Sequence, residues 1–170
     1  MALLEIKVNG AVHRAEVGLT TNLLEVLREK LHIMSPKFGC ESGDCGACSV
    51  LVNGKLRRSC ITNALSVQGC EITTLEGLSE DGDLHPLQKQ FYEKYGFQCG
   101  FCTPGMIMSA KAFLDRNPNP TDDEVKEALA GNLCRCTGYV TIVDAVLSAA
   151  KELAGKLAGE PEGELAGERG

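Results

Sequence analysis

Gly39-Cys-Glu-Ser-Gly-Asp-Cys-Gly-Ala-Cys48 is the stretch that decides the reading of this chain. It sets three thiols on one short loop as Cys40-x4-Cys45-x2-Cys48, and Cys60 follows after eleven further residues. Three thiolates this close together, with a fourth downstream, is the spacing that holds a 2Fe-2S cluster. Zinc sites more often draw their ligands from two separated pairs, so the spacing ranks iron–sulfur well above zinc. Gly39, Gly43 and Gly46 let the loop bend with positive φ and bring backbone N–H groups near sulfur with no Cβ between. Those donors have charge to meet, because ferric ions, sulfides and thiolates together leave an anion and reduction makes it more negative. Clusters ligated in this way sit at roughly −400 mV, moved by hydrogen bonds and burial.

Working outward, residues 1–77 read as a small, mostly β unit. Leu3 to Val8 and Val12 to Val17 flank Asn9-Gly10, a dipeptide favoured in tight hairpins. Thr20 or Thr21 is expected to cap a helix carrying Leu23, Leu24, Leu27 and Leu31, which would cross the sheet. Strands are expected at Ala47 to Val52 and Leu56 to Ile61, joined at Asn53-Gly54, and at Glu71 to Leu75. Composition then shifts at the acidic, glycine-rich Glu76-Gly-Leu-Ser-Glu-Asp-Gly-Asp83, which places the domain boundary there.

Residues 84–154 read as helical. One helix is expected from Leu87 to Tyr95, and a second from Thr103-Pro104, a hydroxyl cap followed by proline at the first helical position, burying Ile107, Met108, Ala112 and Phe113 until Asn117-Pro-Asn-Pro120 stops it. Thr121-Asp-Asp-Glu124 is a capping box for a third, which Gly131 ends. A fourth starts near Thr141 with Ile142, Ala145, Val146, Ala149 and Leu153 on one stripe. Residues 155–170, with five glycines and four glutamates, read as a solvated tail.

A second thiol set lies in this half: Cys99-x2-Cys102 ahead of the second helix and Cys134-x-Cys136 between the third and fourth. Two such pairs suit zinc and iron–sulfur about equally. The placement of Cys102 at a helix N-terminus, where free N–H groups and the dipole favour negative charge, points to an anionic centre.

Gln98-Cys-Gly-Phe-Cys-Thr-Pro-Gly-Met106 and Gly131-Asn-Leu-Cys-Arg-Cys-Thr-Gly-Tyr139 resemble the small iron–sulfur subunit of the xanthine oxidase family, and Gly39 to Cys48 is similar to its N-terminal cluster motif. The likeness runs over about residues 1–153. It implies an α+β chain: an N-terminal β-grasp 2Fe-2S ferredoxin-like domain, then a C-terminal four-helix 2Fe-2S-binding domain. Carried over by position, Cys40, Cys45, Cys48 and Cys60 would hold a flavin-side cluster. Cys99, Cys102, Cys134 and Cys136 would hold a molybdenum-side one, with Gln98 and Cys136 contacting a molybdopterin. The same likeness implies a large molybdopterin-binding subunit and a medium FAD-binding subunit, assembled as a dimer of heterotrimers. Electrons would pass from molybdenum through both clusters to FAD. A free-standing two-cluster ferredoxin is the rival, and a zinc-stapled adaptor the third reading.

Composition narrows the field further. A net charge of −6, with 17 basic and 23 acidic residues dispersed along 170, makes nucleic acid an unsuitable partner. Charge at Glu5 and Lys7 argues against a signal peptide, and no apolar run nears the ~20 residues of a membrane span, so a soluble cytoplasmic protein is expected. Nine cysteines in a reducing compartment then call for metal. Cys70 is expected to be a buried structural thiol, His13, His32 and His85 to have surface or capping roles, and Met106 and Met108 to be core. Arg135, between two candidate ligands, either raises the nearby potential or pairs with a partner chain.

Overall fold

Asn9 and Gly10 both adopt positive φ, 48° and 86°, and so turn the chain as a tight hairpin demands. Strand β1 (Ala2–Val8) pairs antiparallel with β2 (Ala11–Val17) from Ala2 opposite Val17 to Val8 opposite Ala11. The computed structural model of the chain, which describes residues 1–79 and 82–158, extends this hairpin into a mixed sheet ordered β2-β1-β5-β3-β4. β3 (Ser49–Val52) and β4 (Lys55–Arg58) form the second hairpin on Asn53-Gly54. β5 (Glu71–Thr73) runs parallel to β1 and antiparallel to β3. The strands are shorter than the sequence predicts. Ser59–Ile61 and Leu75–Leu78 curl into 3-10 turns instead of prolonging β4 and β5, and the first of these turns carries Cys60 back toward Cys48.

The crossing helix, α1 (Leu23–Glu25), passes into a π-helical turn over Val26–Lys30. Its cap is Asn22, in place of the expected Thr20 or Thr21. Asn22 Oδ1 accepts from Glu25 N at 2.9 Å while the Glu25 carboxylate accepts from Asn22 N at 3.1 Å. A capping box needs an acid three residues on, and only Asn22 has Glu25 at that distance. The Thr21 hydroxyl instead accepts from Gly18 N. Leu23, Val26 and Leu27 cover Leu4, Ile6, Val50 and Ile72 of the sheet.

All four residues of β3 are buried, a pattern that requires cover on both faces. Val50 and Val52 join the core beneath α1, whereas Leu51 joins a second core built by the helices. Those helices are α2 (Pro86–Glu93), α3 (Thr103–Leu114), α4 (Asp122–Leu129) and α5 (Val140–Ala158). Phe91, Met106, Met108, Ile142 and Val146 lie at its centre, so both methionines are core as anticipated. His85 caps α2, its ring accepting from Leu87 N at 3.2 Å. The Thr121–Glu124 capping box forms as read.

Helix boundaries shift as well, α2 ending at Glu93 instead of Tyr95. The start of α3 is set by Cys102, whose carbonyl takes the first helical N–H, from Met106, at 3.0 Å; Thr103 is thereby the first helical residue, its hydroxyl buried with no partner. α5 continues to Ala158, four residues into the stretch expected as tail, while residues 159–170 lie outside the described residues, as do 80 and 81 of the acidic stretch. Among the described residues no helix is long and apolar enough to cross a membrane.

Glu76 ties the segment ahead of the first thiol loop to the end of the sheet. Its carboxylate accepts from Ser35 N at 2.9 Å, Ser35 Oγ at 2.5 Å and Thr74 Oγ1 at 2.6 Å. The partial burial of its carboxyl end would by itself push this group up, but the Ser35 and Thr74 hydroxyls and the Glu76 and Ser35 N–H groups hold it below the ordinary value. A group depressed in the folded state adds stability that is present above its unfolded value, about 4.3, and is lost as pH falls through the lower folded value. Glu76→Gln should therefore cost about 1 kcal/mol at pH 7, a low figure because the residue is solvent-exposed. In thermal melts from pH 7 to pH 3 the gap between variant and parent should close on acidification; a gap that widens would contradict this role.

Candidate metal centres

The first thiol set is assembled by one loop and one turn. Cys40 is exposed, Cys45 half-buried, and Cys48 and Cys60 buried. Backbone N–H groups of Ser42 and Cys45 aim at Cys40 Sγ at 3.4 and 3.3 Å. The Ser42 hydroxyl and these two N–H groups pull the Cys40 thiol down to about 6. The backbone donors are the ones fixed by geometry, since the Ser42 hydroxyl also reaches Asp44 at 2.5 Å and has one proton to give. Cys60 is pushed up to about 12 by burial and by the Cys48 thiol against it, with Gly43 N–H opposing. The glycines are needed here: a Cβ on Gly39 would stand 2.7 Å from Cys45 Sγ, and Gly43 holds φ 89°.

The second set converges from two interhelical loops. Cys99 and Cys102 precede α3 and Cys134 and Cys136 lie between α4 and α5, around a cavity of about 440 Å³ also lined by Phe101, Leu133, Arg135 and Tyr139. Cys99 and Cys136 sit at its exposed rim with their Sγ atoms 3.6 Å apart. Cys102 is pushed up to about 12 by burial and then by the Cys134 thiol. Burial also raises Cys134, but the Thr137 hydroxyl and the N–H groups of Thr137 and Cys136 outweigh it and bring that thiol to about 7.

Among the described residues no three His, Cys, Asp and Glu side chains gather closely enough to chelate one ion. The thiols instead meet two by two: Cys40 with Cys45, Cys48 with Cys60, Cys99 with Cys136, Cys102 with Cys134. Two thiolates on one tetrahedral metal, bonded at about 2.3 Å, stand about 3.8 Å apart. The 3.6 Å of Cys99 and Cys136 fits that, and paired thiols around two neighbouring metals are what a binuclear cluster takes. The spacing at the second set therefore fits 2Fe-2S better than a single zinc ion, and the thiols of the first set are paired in the same way.

The two sets face each other across a seam where the backbones at Gly46 and Gly105 meet directly and a few polar side chains tie the loops together. Leu133 N, next to Cys134, donates to the carbonyl of Cys45 at 2.9 Å. Asn132, buried, donates from Nδ2 to Gly46 O at 3.3 Å and accepts from Ser109 Oγ at 2.7 Å. Arg58, at the end of β4, reaches Ser49 Oγ at 2.5 Å and Gly131 O at 2.7 Å. Gly105 and Gly46 permit the approach: a Cβ on Gly105 would run into the Gly46 carbonyl, and one on Gly46, at φ 74°, into the Asn132 amide and Gly131 O.

Gln98 is exposed immediately before Cys99, and Arg135 is exposed on the cavity wall. Cys70 is half-buried against the sheet core, not fully buried as expected, because it faces a hollow of about 530 Å³ that contains none of the other eight cysteines. His13 and His32 join neither set. Sequence reasoning missed Arg58, Asn132, Thr137 and Tyr139. The last three stand inside the quoted motif and could have been flagged by position, while Arg58 carries no signal beyond lying two residues before Cys60.

Comparison with known proteins agrees with this geometry. Residues 6–74 match the family of 2Fe-2S iron–sulfur cluster binding domains, and residues 74–147 that of 2Fe-2S binding domains. The chain is 48% identical to the nicotine 6-hydroxylase small subunit of Paenarthrobacter nicotinovorans, over 90% of this chain and 92% of that one. It is 44% identical to the aldehyde oxidoreductase iron-sulfur-binding subunit of Escherichia coli K12, over 88% and 72%. The crystal structure of quinoline 2-oxidoreductase from Pseudomonas putida 86 contains a similar chain, at TM-score 0.87 and 41% identity, over 94% of this chain and 98% of that one.

The seam makes a prediction whose sign is unusual. Alanine for glycine inside a helix ordinarily stabilises by roughly 0.5–1 kcal/mol. At Gly105 the new methyl would meet only backbone, of Gly46 and Ala47, and such overpacking costs about 1–3 kcal/mol. Gly105→Ala should therefore lower the melting temperature and loosen both thiol loops, seen as faster loss of visible absorbance on heating; a raised melting temperature would show that the two backbones do not touch.

Proposed function

The chain belongs to the small iron–sulfur subunits of the molybdenum hydroxylase family, electron-transfer subunits of oxidoreductases, and we propose that it relays electrons between two partner chains through two 2Fe-2S clusters of its own. The source is a molybdopterin centre in a large subunit and the sink is FAD in a medium subunit. The observation that carries this reading is the juxtaposition of two complete four-thiol sets, one on each unit, with a carbonyl of one ligand, Cys45, hydrogen-bonded to the residue beside another, Cys134. A chain that only needed a metal staple would have no use for a second set held in fixed register with the first.

Each cluster, when bound, takes up and releases one electron at a time. Cys40, Cys45, Cys48 and Cys60 hold the flavin-side cluster, and Cys99, Cys102, Cys134 and Cys136 the molybdenum-side one. Gln98, exposed beside Cys99, and Cys136, exposed in the second set, contact a pterin presented by the large subunit. The ferredoxin-like domain is assigned to residues 1–77 and the helical domain to 84–154, with α5 continuing past its end. The whole is a dimer of heterotrimers, placed in the cytoplasm, where nine unbridged cysteines are at home.

Phe97, Phe101, Leu133 and Val140 are exposed around the second set. An apolar collar of this kind suits a covered interface better than the surface of a freely diffusing ferredoxin, which favours the subunit reading. Similar small chains occur in enzymes named for aldehydes, nicotine and quinoline, so choice of substrate belongs to the large partner.

Native purification of the complex tests this. The chain should co-elute with a molybdenum-containing chain and a flavin-containing chain, carry about four irons, and give two distinct 2Fe-2S EPR signals, one broadened by Mo(V). Cys48→Ala should abolish one signal and spare the other, and Cys102→Ala the reverse. A colourless chain holding zinc, or a free monomer with no molybdenum partner, would overturn the assignment.

A further inference from the structure

Thr137 lies between Cys136 and Gly138 on the loop that closes the second set, and its hydroxyl oxygen stands 3.2 Å from Cys134 Sγ. The same oxygen accepts from Tyr139 N, also at 3.2 Å. That second bond is made by an unusual backbone: Gly138 and Tyr139 both take positive φ, 67° and 72°, and fold the chain back on itself. A non-glycine residue rarely adopts this conformation unless something holds it there. The Tyr139 hydroxyl supplies the hold, because it accepts from Cys134 N at 2.9 Å and so anchors the far end of the same loop.

The direction of the Thr137 bond follows from proton counting. A hydroxyl offers one proton and two lone pairs. Tyr139 N–H occupies a lone pair, and a thiolate that ligates iron has no proton to give. The Thr137 proton therefore points at sulfur.

Resting on the ligand set proposed above, we infer that Thr137, oriented by Tyr139, is a positioning residue that raises the reduction potential of the C-terminal cluster by donating a hydrogen bond to Cys134. Reduction adds negative charge to the cluster and its thiolates, so a donor on sulfur stabilises the reduced form more than the oxidised one. The alternative is a purely structural hydroxyl that shapes the loop, whose loss would weaken the fold and leave the potential where it was.

EPR-monitored redox titration of the intact complex separates the two, with the N-terminal cluster as internal reference. Thr137→Val, nearly isosteric without the hydroxyl, should disfavour reduction of the C-terminal cluster by up to tenfold, a downward shift of up to about 59 mV for one electron, while the N-terminal signal stays fixed. Thr137→Ser, which keeps the donor, should stay within about twofold of the parent. An unchanged potential in the Val variant, an equal shift of both clusters, or a Ser variant that moves as far as Val would overturn the inference. If Val prevents the cluster from forming, Thr137→Ala carries the same expectation; loss of the cluster in both, with Ser intact, would make Thr137 an assembly residue and refute the tuning role. Absence of a second 2Fe-2S signal from the parent would instead sink the ligand assignment on which this depends.

Discussion

Everything in this molecule that concerns electrons depends on two backbones touching. The first turn of α3 lies directly on the loop of the first thiol set, with Gly105 against the carbonyl of Gly46 and no side chain between. Packing this close is rigid, since interiors at such density deform only at high cost. Asn132, Arg58 and the Leu133-to-Cys45 hydrogen bond then fasten the second thiol loop to the same place. The separation of the two thiol sets is thereby fixed. It is set by the Gly46–Gly105 backbone contact and the Leu133-to-Cys45 bond, with the Asn132 and Arg58 side chains as further ties.

The sheet supplies the other half of that rigidity. β3 is covered on both faces, by α1 through Val50 and Val52 and by the helical core through Leu51. The strand that leaves the first thiol loop is thus also the strand on which the helical unit is docked. The two cores thus share one strand.

Hydrogen bonding distinguishes the thiols within each set. Cys40 and Cys134 gather donors from neighbouring N–H and hydroxyl groups, while Cys60 and Cys102 are buried and short of them. Each centre consequently has a polar side and an apolar side. On the second, Cys99 and Cys136 also form an exposed rim, where a partner chain can approach without disturbing the buried pair.

Much of this was legible in the sequence. Asn9-Gly10 and Asn53-Gly54 announced their hairpins because few other dipeptides accept positive φ at both positions, and Thr121 with Glu124 announced α4 because capping is decided within four residues. The eight thiols were identified by spacing and likeness. What the sequence could not show was how the two thiol loops are fastened together across the chain. Asn132 reaches Gly46 and Arg58 reaches Gly131 over 86 and 73 residues, and no local pattern encodes such contacts. The misplaced caps have the same origin: Thr21 and Thr103 are good caps by type, yet Glu25 selected Asn22 and the carbonyl of Cys102 took the first helical bond. The sequence by itself determined which thiols are candidates to ligate metal, because ligand chemistry belongs to residue type and short spacing. Only the tertiary structure decided how the two sets are joined, because the groups that join them lie far apart in the sequence and meet only when the chain is folded.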